Sequence, residues 1–228
     1  MSTLYIVATP IGNLEDITLR ALRILAEVDL ILCEDTRTTR TLLAHYKIKT
    51  ATKSYHAHSS ISKEDTIIKM LESGKNIALV SDAGTPAISD PGAMLVKSVL
   101  ENLGDDVKIV AVPGASALTS AISISGILPS EFVFLGFLPH KKGRETLFKE
   151  IALSERTMVF YESSHRILKT LKSLSDVLGE DREVVVAREI TKFFEEVKKG
   201  TSNEVLSYFT DNKEKQKGEF VVIVSGVI

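Results

Sequence analysis

Two turns in this 228-residue sequence gather residue types that suit a small polar ligand. The apolar run Ile77 to Val80 passes into Ser81-Asp82-Ala83-Gly84-Thr85-Pro86 and then Ser89-Asp90-Pro91-Gly92. Small residues let a ligand approach the backbone, and Asp82 offers a carboxylate acceptor. The run Lys108 to Val112 ends in Pro113-Gly114-Ala115-Ser116-Ala117, small residues that open a helix with free amides. Each turn in isolation is equally a Gly/Pro turn whose aspartates form Asx-turns, but two of them on consecutive strands suggest a cleft. Neither GxGxxG nor GxxxxGK[ST] occurs, which weakens dinucleotide and nucleoside-triphosphate readings.

Other polar clusters are Thr9 to Asn13, Cys33 to Arg37, Tyr161 to Arg166, Arg188 to Lys192 and Lys217 to Phe220. Nearly all sit where an expected strand begins or ends. Tyr55-His56-Ala57-His58 suits base stacking or solvent, and with no third ligand nearby no metal site is expected. Cys33, inside an apolar run, reads as a small core residue rather than a nucleophile.

The elements that must position these residues alternate short β-branched runs with segments of helical period, the pattern of sheets flanked by helices. Leu4–Ala8, Val28–Cys33, Ile77–Val80 and Lys108–Val112 read as buried strands. Thr18, Ala21, Leu22 and Leu25 share one helical face, and Leu95, Val96, Val99, Leu100 and Leu103 another. Ser62 with Asp65 reads as a capping box for the helix that follows. After a helix over Ala115 to Ile124, Gly126 and Pro129 interrupt the pattern, which puts a boundary between an N-terminal α/β domain, 1–125, and a C-terminal one, 126–228. The second half offers Phe132–Leu135, Thr157–Tyr161, Glu183–Ala187, Phe220–Val224 and a shorter Glu195–Lys199 as strands, helices near Thr146–Leu153 and Ile167–Leu178, and a solvated loop over Asp211–Gly218.

Composition is that of a globular protein, 44% hydrophobic and 25% charged, with enough apolar material for a buried core. A net charge of −2 excludes coating nucleic acid by bulk attraction, so any RNA contact must be focal. A single cysteine, no leader-like start and no apolar run of bilayer length fit a cytoplasmic protein outside membranes.

Thr9–Thr18 (TPIGNLEDIT), Cys33–Arg37 (CEDTR), Ser81–Gly92 (SDAGTPAISDPG), Val112–Ala117 (VPGASA) and the later clusters at Tyr161–Arg166, Arg188–Lys192 and Lys217–Phe220, in this order across almost the whole chain, resemble the ribosomal-RNA 2′-O-methyltransferase branch of the tetrapyrrole methylases. The resemblance implies a class III methyltransferase: two α/β domains with mixed, largely parallel sheets, S-adenosyl-L-methionine in a cleft between them, and a homodimer. It implies that Ile11, Asp82, Thr85, Ser116, Ala117, Tyr161, Ala187, Arg188 and Phe220 stand where related enzymes contact the cofactor. The implied target is a cytidine ribose in the decoding region of 16S ribosomal RNA, within the small subunit, and not DNA. Ser164 replaces the family's usual proline, which leaves the turn before His165 less rigid.

Methyl transfer to a ribose hydroxyl needs alignment and gains from a positioned base. Asp35, Glu162 and Glu189 are the candidates. Asp35 beside Arg37 is equally a structural ion pair, and solvated pairing is the commoner role for Glu189 beside Arg188 and Lys192. Arg37, Lys192 and the basic loop His140, Lys141, Lys142 and Arg144 are expected to contact RNA phosphates. A tetrapyrrole or corrin precursor would call for a more apolar cleft, and the Thr9–Asn13 loop lacks the glycine-rich form of those relatives. A module that binds cofactor or RNA without turnover is the remaining alternative.

Overall fold

The computed structural model describes residues 1–56, 61–90, 92–128 and 130–227, with the backbone alone for 61–63. The chain divides into two compact units, Met1–Ser116 and Ala117–Ile228.

In the first unit β1 (Ser2–Val7), α1 (Leu19–Glu27), β2 (Leu30–Cys33), α2 (Thr36–His45), β3 (Thr52–Ser54), α3 (Ile61–Glu72), β4 (Ile77–Leu79), α4 (Gly92–Leu103) and β5 (Val107–Val112) follow in order. The five strands form one sheet, ordered β3-β2-β4-β1-β5, and every pair in it is parallel. Period-two alternation explains why both faces are covered. Leu30 and Leu32 pack with Leu71, Leu95 and Val99, whereas Ile31 and Cys33 pack with Ile24, Leu25 and Leu43. Burial of each such side chain contributes on the order of 2 kcal/mol. Cys33 is fully buried, and burial raises its thiol pKa, as expected of a core residue.

Two elements of this unit were not expected, the short β3 and α2. Residues 36–45 are rich in threonine, a weak helix former, and the helix starts because the Asp35 side chain accepts from the Arg37 N–H. Helix α3 begins at Ile61, so Ser62 lies inside it, and its side chain falls outside the described residues, as does His58.

The second unit holds α5 (Ala117–Ile124), β6 (Phe132–Phe137), α6 (Arg144–Leu153), β7 (Thr157–Ser163), α7 (Ile167–Val177), β8 (Glu183–Arg188), β9 (Glu196–Thr201), α8 (Ser202–Asp211) and β10 (Glu219–Val224). Its sheet runs β6-β7-β10-β8-β9, with β6 parallel to β7 and the other three pairs antiparallel. The two-domain α/β expectation therefore holds, with parallel pairing concentrated in the first unit. The division falls at 116/117, at the start of α5, where the sequence suggested 125/126. Helix α5 goes with the second unit because it packs on β10 and its Leu118 N–H donates to the Tyr161 hydroxyl. Helix α8, also unexpected, starts with a capping box in which Thr201 and Glu204 exchange hydrogen bonds. A short 3-10 turn, Lys213–Gln216, lies in the segment read as loop. One core joins the helices to this sheet, with Phe148, Leu171, Leu174 and Phe209 against Phe160, Val186 and Val222.

Candidate active site

Parallel pairing delivers the carboxyl ends of all five strands of the first unit to one edge of its sheet, where ligands of open α/β sheets bind. The loops there are fastened to one another. Thr9 and Gly84 exchange backbone hydrogen bonds of 2.9 and 3.0 Å, and the buried Thr9 hydroxyl donates to Ser81 O at 3.1 Å. Gly84 sits at φ +79, and a Cβ there would meet Ile11 Cγ2 at 3.4 Å, so glycine suits both the turn and the close packing of Ile11. Further on, Asp90 accepts from Ala87 N at 2.8 Å and Gly92 N at 2.7 Å. It thereby holds Ala87 (φ 69) and Ser89 (φ 64) in left-handed conformations. Strain of this kind, locked by hydrogen bonds, marks a loop shaped for a task.

Four carboxylates crowd this edge. The Asp35 N–H donates to Asp82 Oδ1 at 3.0 Å. In return, the Asp82 N–H donates to the Glu34 carboxylate. Burial raises the Glu34 pKa, and the charges of Asp90 and Asp82 raise it further. Asp35 behaves in the opposite way. Fork-like hydrogen bonds from the Arg37 side chain, 2.6 Å at the shortest, and the Arg37 N–H hold it down to about 2. Asp35 is thus a helix cap and an ion-pair partner, and a weak proton acceptor at neutral pH.

Asp82 is exposed and Ile11 buried. The Thr85 hydroxyl reaches Ala115 O at 3.5 Å, which ties the loop after β4 to the loop after β5. Ser116 and Ala117 stand half-buried where that second loop meets α5. Gly114 follows the same logic as Gly84, since a Cβ there would stand 3.0 Å from Ala8 Cβ. Ile11, Asp82 and Thr85 are thus brought together.

In the second unit Tyr161, Ala187, Arg188 and Phe220 lie at one end of three adjacent strands, with Phe220 paired to both Glu162 and Arg188. Tyr161 is half-buried, edge-on to Phe134 and Phe137 at 4.9 and 5.5 Å, and burial raises its pKa against the opposing hydrogen bond from Leu118. The Phe220 side chain is core, edge-on to Phe209. Ala187 is fully buried. Arg188 is 7% exposed and spends its guanidinium on Lys217 O at 2.7 Å and Phe194 O at 3.1 Å, so it shapes the neighbouring turns.

Glu162 has no exposed side-chain surface. It pairs with Arg166 at 2.8 Å and accepts from Thr170 Oγ1 at 2.6 Å and Ser163 N at 2.8 Å. Arg144 turns inward to the same network, donating to Thr170 Oγ1 at 2.7 Å and Pro139 O at 3.2 Å. At 7% exposure it is closed to an RNA phosphate, a correction to its expected role. A buried guanidinium held by two hydrogen bonds and set over the Phe148 ring at 4.9 Å serves the fold, and the sequence showed only a basic run. His140, Lys141 and Lys142 remain exposed.

Glu189 sits at φ 51 beneath Gly218, accepting from Lys192 Nζ at 2.9 Å and Glu219 N at 3.0 Å. Burial pushes its pKa up, but these bonds and the charges of Lys192 and Arg188 leave it below the usual carboxylate range. Lys192 also bonds Glu219 at 2.8 Å, so its charge is already neutralised by two carboxylates.

Glu34 escaped the sequence reading although it stood inside a quoted motif, because only the fold sets it among Asp82, Asp90 and His56. Arg166 and Thr170 escaped as partners of Glu162; the i, i+4 spacing of Glu162 and Arg166 was the available signal. Among the described residues no group of three or more His, Cys, Asp or Glu side chains is placed to hold a metal ion. No helix among them is long and apolar enough to cross a membrane.

Residues 3–206 match the family described as Tetrapyrrole (Corrin/Porphyrin) Methylases. Ribosomal RNA small subunit methyltransferase I of Thermotoga maritima is 48% identical over 226 residues, 99% of this chain and 99% of that protein. Its namesake in Bacillus subtilis is 46% identical over 227 residues, 99% of this chain and 76% of the relative. Among solved structures, the cobalamin biosynthetic enzyme cobalt precorrin-4 methyltransferase superposes with a TM-score of 0.67 at 20% identity, covering 98% of this chain and 94% of that one. Uroporphyrin-III C-methyltransferase from Thermus thermophilus, complexed with S-adenyl homocysteine, gives 0.65 at 18% identity, covering 98% and 97%. At such identities these structures bear on the fold alone.

Proposed function

Because the chain belongs to the tetrapyrrole (corrin/porphyrin) methylase family, we propose that it methylates ribosomal RNA of the small subunit from S-adenosyl-L-methionine. The finer reading is transfer to the 2′-oxygen of a cytidine ribose in the decoding region of 16S ribosomal RNA, by a homodimer working in the cytoplasm. The observation that carries the broader reading is 48% identity over 99% of both chains to a protein named as a methyltransferase of small-subunit ribosomal RNA.

The strand-end residues of the first unit fit such a donor. A sulfonium and an ammonium are cations, and Glu34, Asp35, Asp82 and Asp90 supply carboxylates on one edge. Ala83, exposed and small, leaves room for a ligand to pack beside Asp82. In the second unit, Tyr161 and the backbone at Ala187, Arg188 and Phe220 are the candidates for cofactor contact, since the Arg188 and Phe220 side chains are committed elsewhere.

When bound, the cofactor supplies an electrophilic methyl, whose bond to sulfur breaks as a bond to the ribose oxygen forms. The protein's part is to align the hydroxyl and take its proton. Asp35, Glu162 and Glu189 are poorly suited to that, being respectively held near 2, buried with both oxygens bonded, and ion-paired. Glu34, with a raised proton affinity, is the better acceptor on the strand-end edge. Lys141 and Lys142 supply exposed charge for RNA phosphates, with His140 beside them and Arg37 exposed although paired to Asp35.

The test is transfer of labelled methyl to small ribosomal subunits from cells lacking the modification, with the product mapped. Label on a ribose 2′-oxygen is expected. Label on a base alone, or on a uroporphyrinogen offered in parallel, defeats the reading.

A further inference from the structure

From Thr36 to Lys63 the sequence carries Arg37, Arg40, Lys47, Lys49, Lys53 and Lys63 without one Asp or Glu, in a chain of net charge −2. The fold gathers part of this excess on one surface. Thr39, Leu42 and Leu43 are the buried side of α2, leaving Arg37, Arg40, Thr41 and Ala44 as an exposed stripe at i, i+3, i+4 and i+7. The chain then turns back so that Arg40 and Ala44 face Lys49, Thr50 and Thr52 across a groove floored by Leu43 and Ile48.

That turn is a Schellman motif. Ile48 N–H donates to Leu43 O at 2.8 Å and Lys47 N–H to Ala44 O at 3.1 Å, with Lys47 left-handed at φ 57. Glycine is the usual residue at that position, and a side chain there is strained, so this chain holds a positive charge where its backbone favours none. Attraction to the helix C-terminus accounts for Lys47 alone; Arg40 lies in mid-helix and Lys49 beyond the turn. Among the described residues Arg40, Lys47 and Lys49 form no ion pair. In the second unit, by contrast, Lys192, Lys199 and Lys215 are each matched to a carboxylate.

We propose that this groove, walled by Arg40 and Lys49 with Lys47 at its end, docks the phosphate backbone of the RNA substrate. Its nearer wall, Arg40, lies roughly 7 Å along α2 from the Asp35 cap on the strand-end edge. The proposal rests on the reading of RNA as substrate. Unpaired cations suit phosphate oxygens, and the absence of an exposed large apolar side chain among these lining residues disfavours a lipid surface.

The experiment compares wild type with an R40A/K47G/K49A variant for binding to small ribosomal subunits across a salt series. A K149A/K169A/K172A variant, which loses three exposed lysines of the second unit, serves as the charge-matched control. Expected is roughly tenfold or greater weakening and a salt slope shallower by about two to three for the groove variant, with its affinity for S-adenosyl-L-methionine unchanged by calorimetry. K47G alone is expected to raise the melting temperature while weakening RNA binding, a combination that a purely structural lysine would not give. Equal affinity and slope in wild type and groove variant overturn the proposal, as does an equal loss in the control. Binding of phosphatidylserine vesicles through these residues in place of RNA overturns it too. If wild type methylates small subunits and the groove variant matches its KM, the groove alone falls; if wild type neither binds nor methylates them, the functional reading falls with it.

Discussion

Asp35 donates its backbone N–H to the carboxylate of Asp82 at 3.0 Å, joining the ends of two neighbouring parallel strands. Asp82 returns a hydrogen bond from its own N–H to Glu34, so the clasp works in both directions. The clasp fixes Glu34, Asp35 and Asp82 on one edge, with Asp90 near enough for its charge to act on Glu34.

Asp82→Asn keeps an acceptor for the Asp35 N–H and removes the charge. Cofactor affinity is expected to fall about 10- to 100-fold, in line with about 1.5–3 kcal/mol for a hydrogen bond to a charged group, with little change in the unfolding midpoint. Titration calorimetry beside thermal unfolding checks both halves.

Glu162→Gln leaves Arg166 and Arg144 without their buried counter-charge. A loss of about 3–5 kcal/mol in urea denaturation is expected, with activity per folded molecule largely retained. If stability is unchanged and activity vanishes, Glu162 acts on the substrate and its structural role is wrong.

The Asp35 carboxyl, about 2 in the folded protein against an ordinary 3.8, binds fewer protons folded than unfolded between those values. Its contribution to stability is therefore complete above the ordinary value and disappears as pH falls through that window toward about 2. Asp35→Asn retains the helix cap and should flatten this part of the acid limb of a pH series of urea midpoints. An unaltered limb would remove the ion pair from the account.

Gly218 sits at φ +113, and a Cβ there would stand 2.6 Å from Glu189 Cγ. Gly218→Ala is expected to cost about 2 kcal/mol or more, from backbone strain and from displacing Glu189 from Lys192. A thermal shift of less than a degree would show that the turn relaxes freely.

Much of the fold was legible because local rules and tertiary packing agree where runs are apolar and turns rich in glycine and proline. Val28 to Cys33 and Ile77 to Val80 read as strands on their own, and the loops after Val80 and Val112 read as ligand-binding turns because small residues gather there, with Asp82 beside them in the first. Helix α2 did not read, since its threonines favour other conformations and only the Asp35 cap and the buried Leu42 and Leu43 fix it. Helix α8 announced itself through Thr201 and Glu204, a signal present and not used.

The order of motifs pointed to the family, and the residue types at the strand ends pointed to a small polar ligand. Whether a run such as Val184–Ala187 pairs parallel or antiparallel was left to the fold, because a strand buried on both faces carries the same apolar signature in either sense. So was the fate of each charge. Arg144, within a basic run, turns inward to Thr170, while Arg40 faces solvent; the pKa of Glu34 is raised where that of Asp35, its neighbour, is lowered. A side chain's charge belongs to its residue type, but its partners and its distance from water come from segments far along the chain, and those are set only when the strands pair.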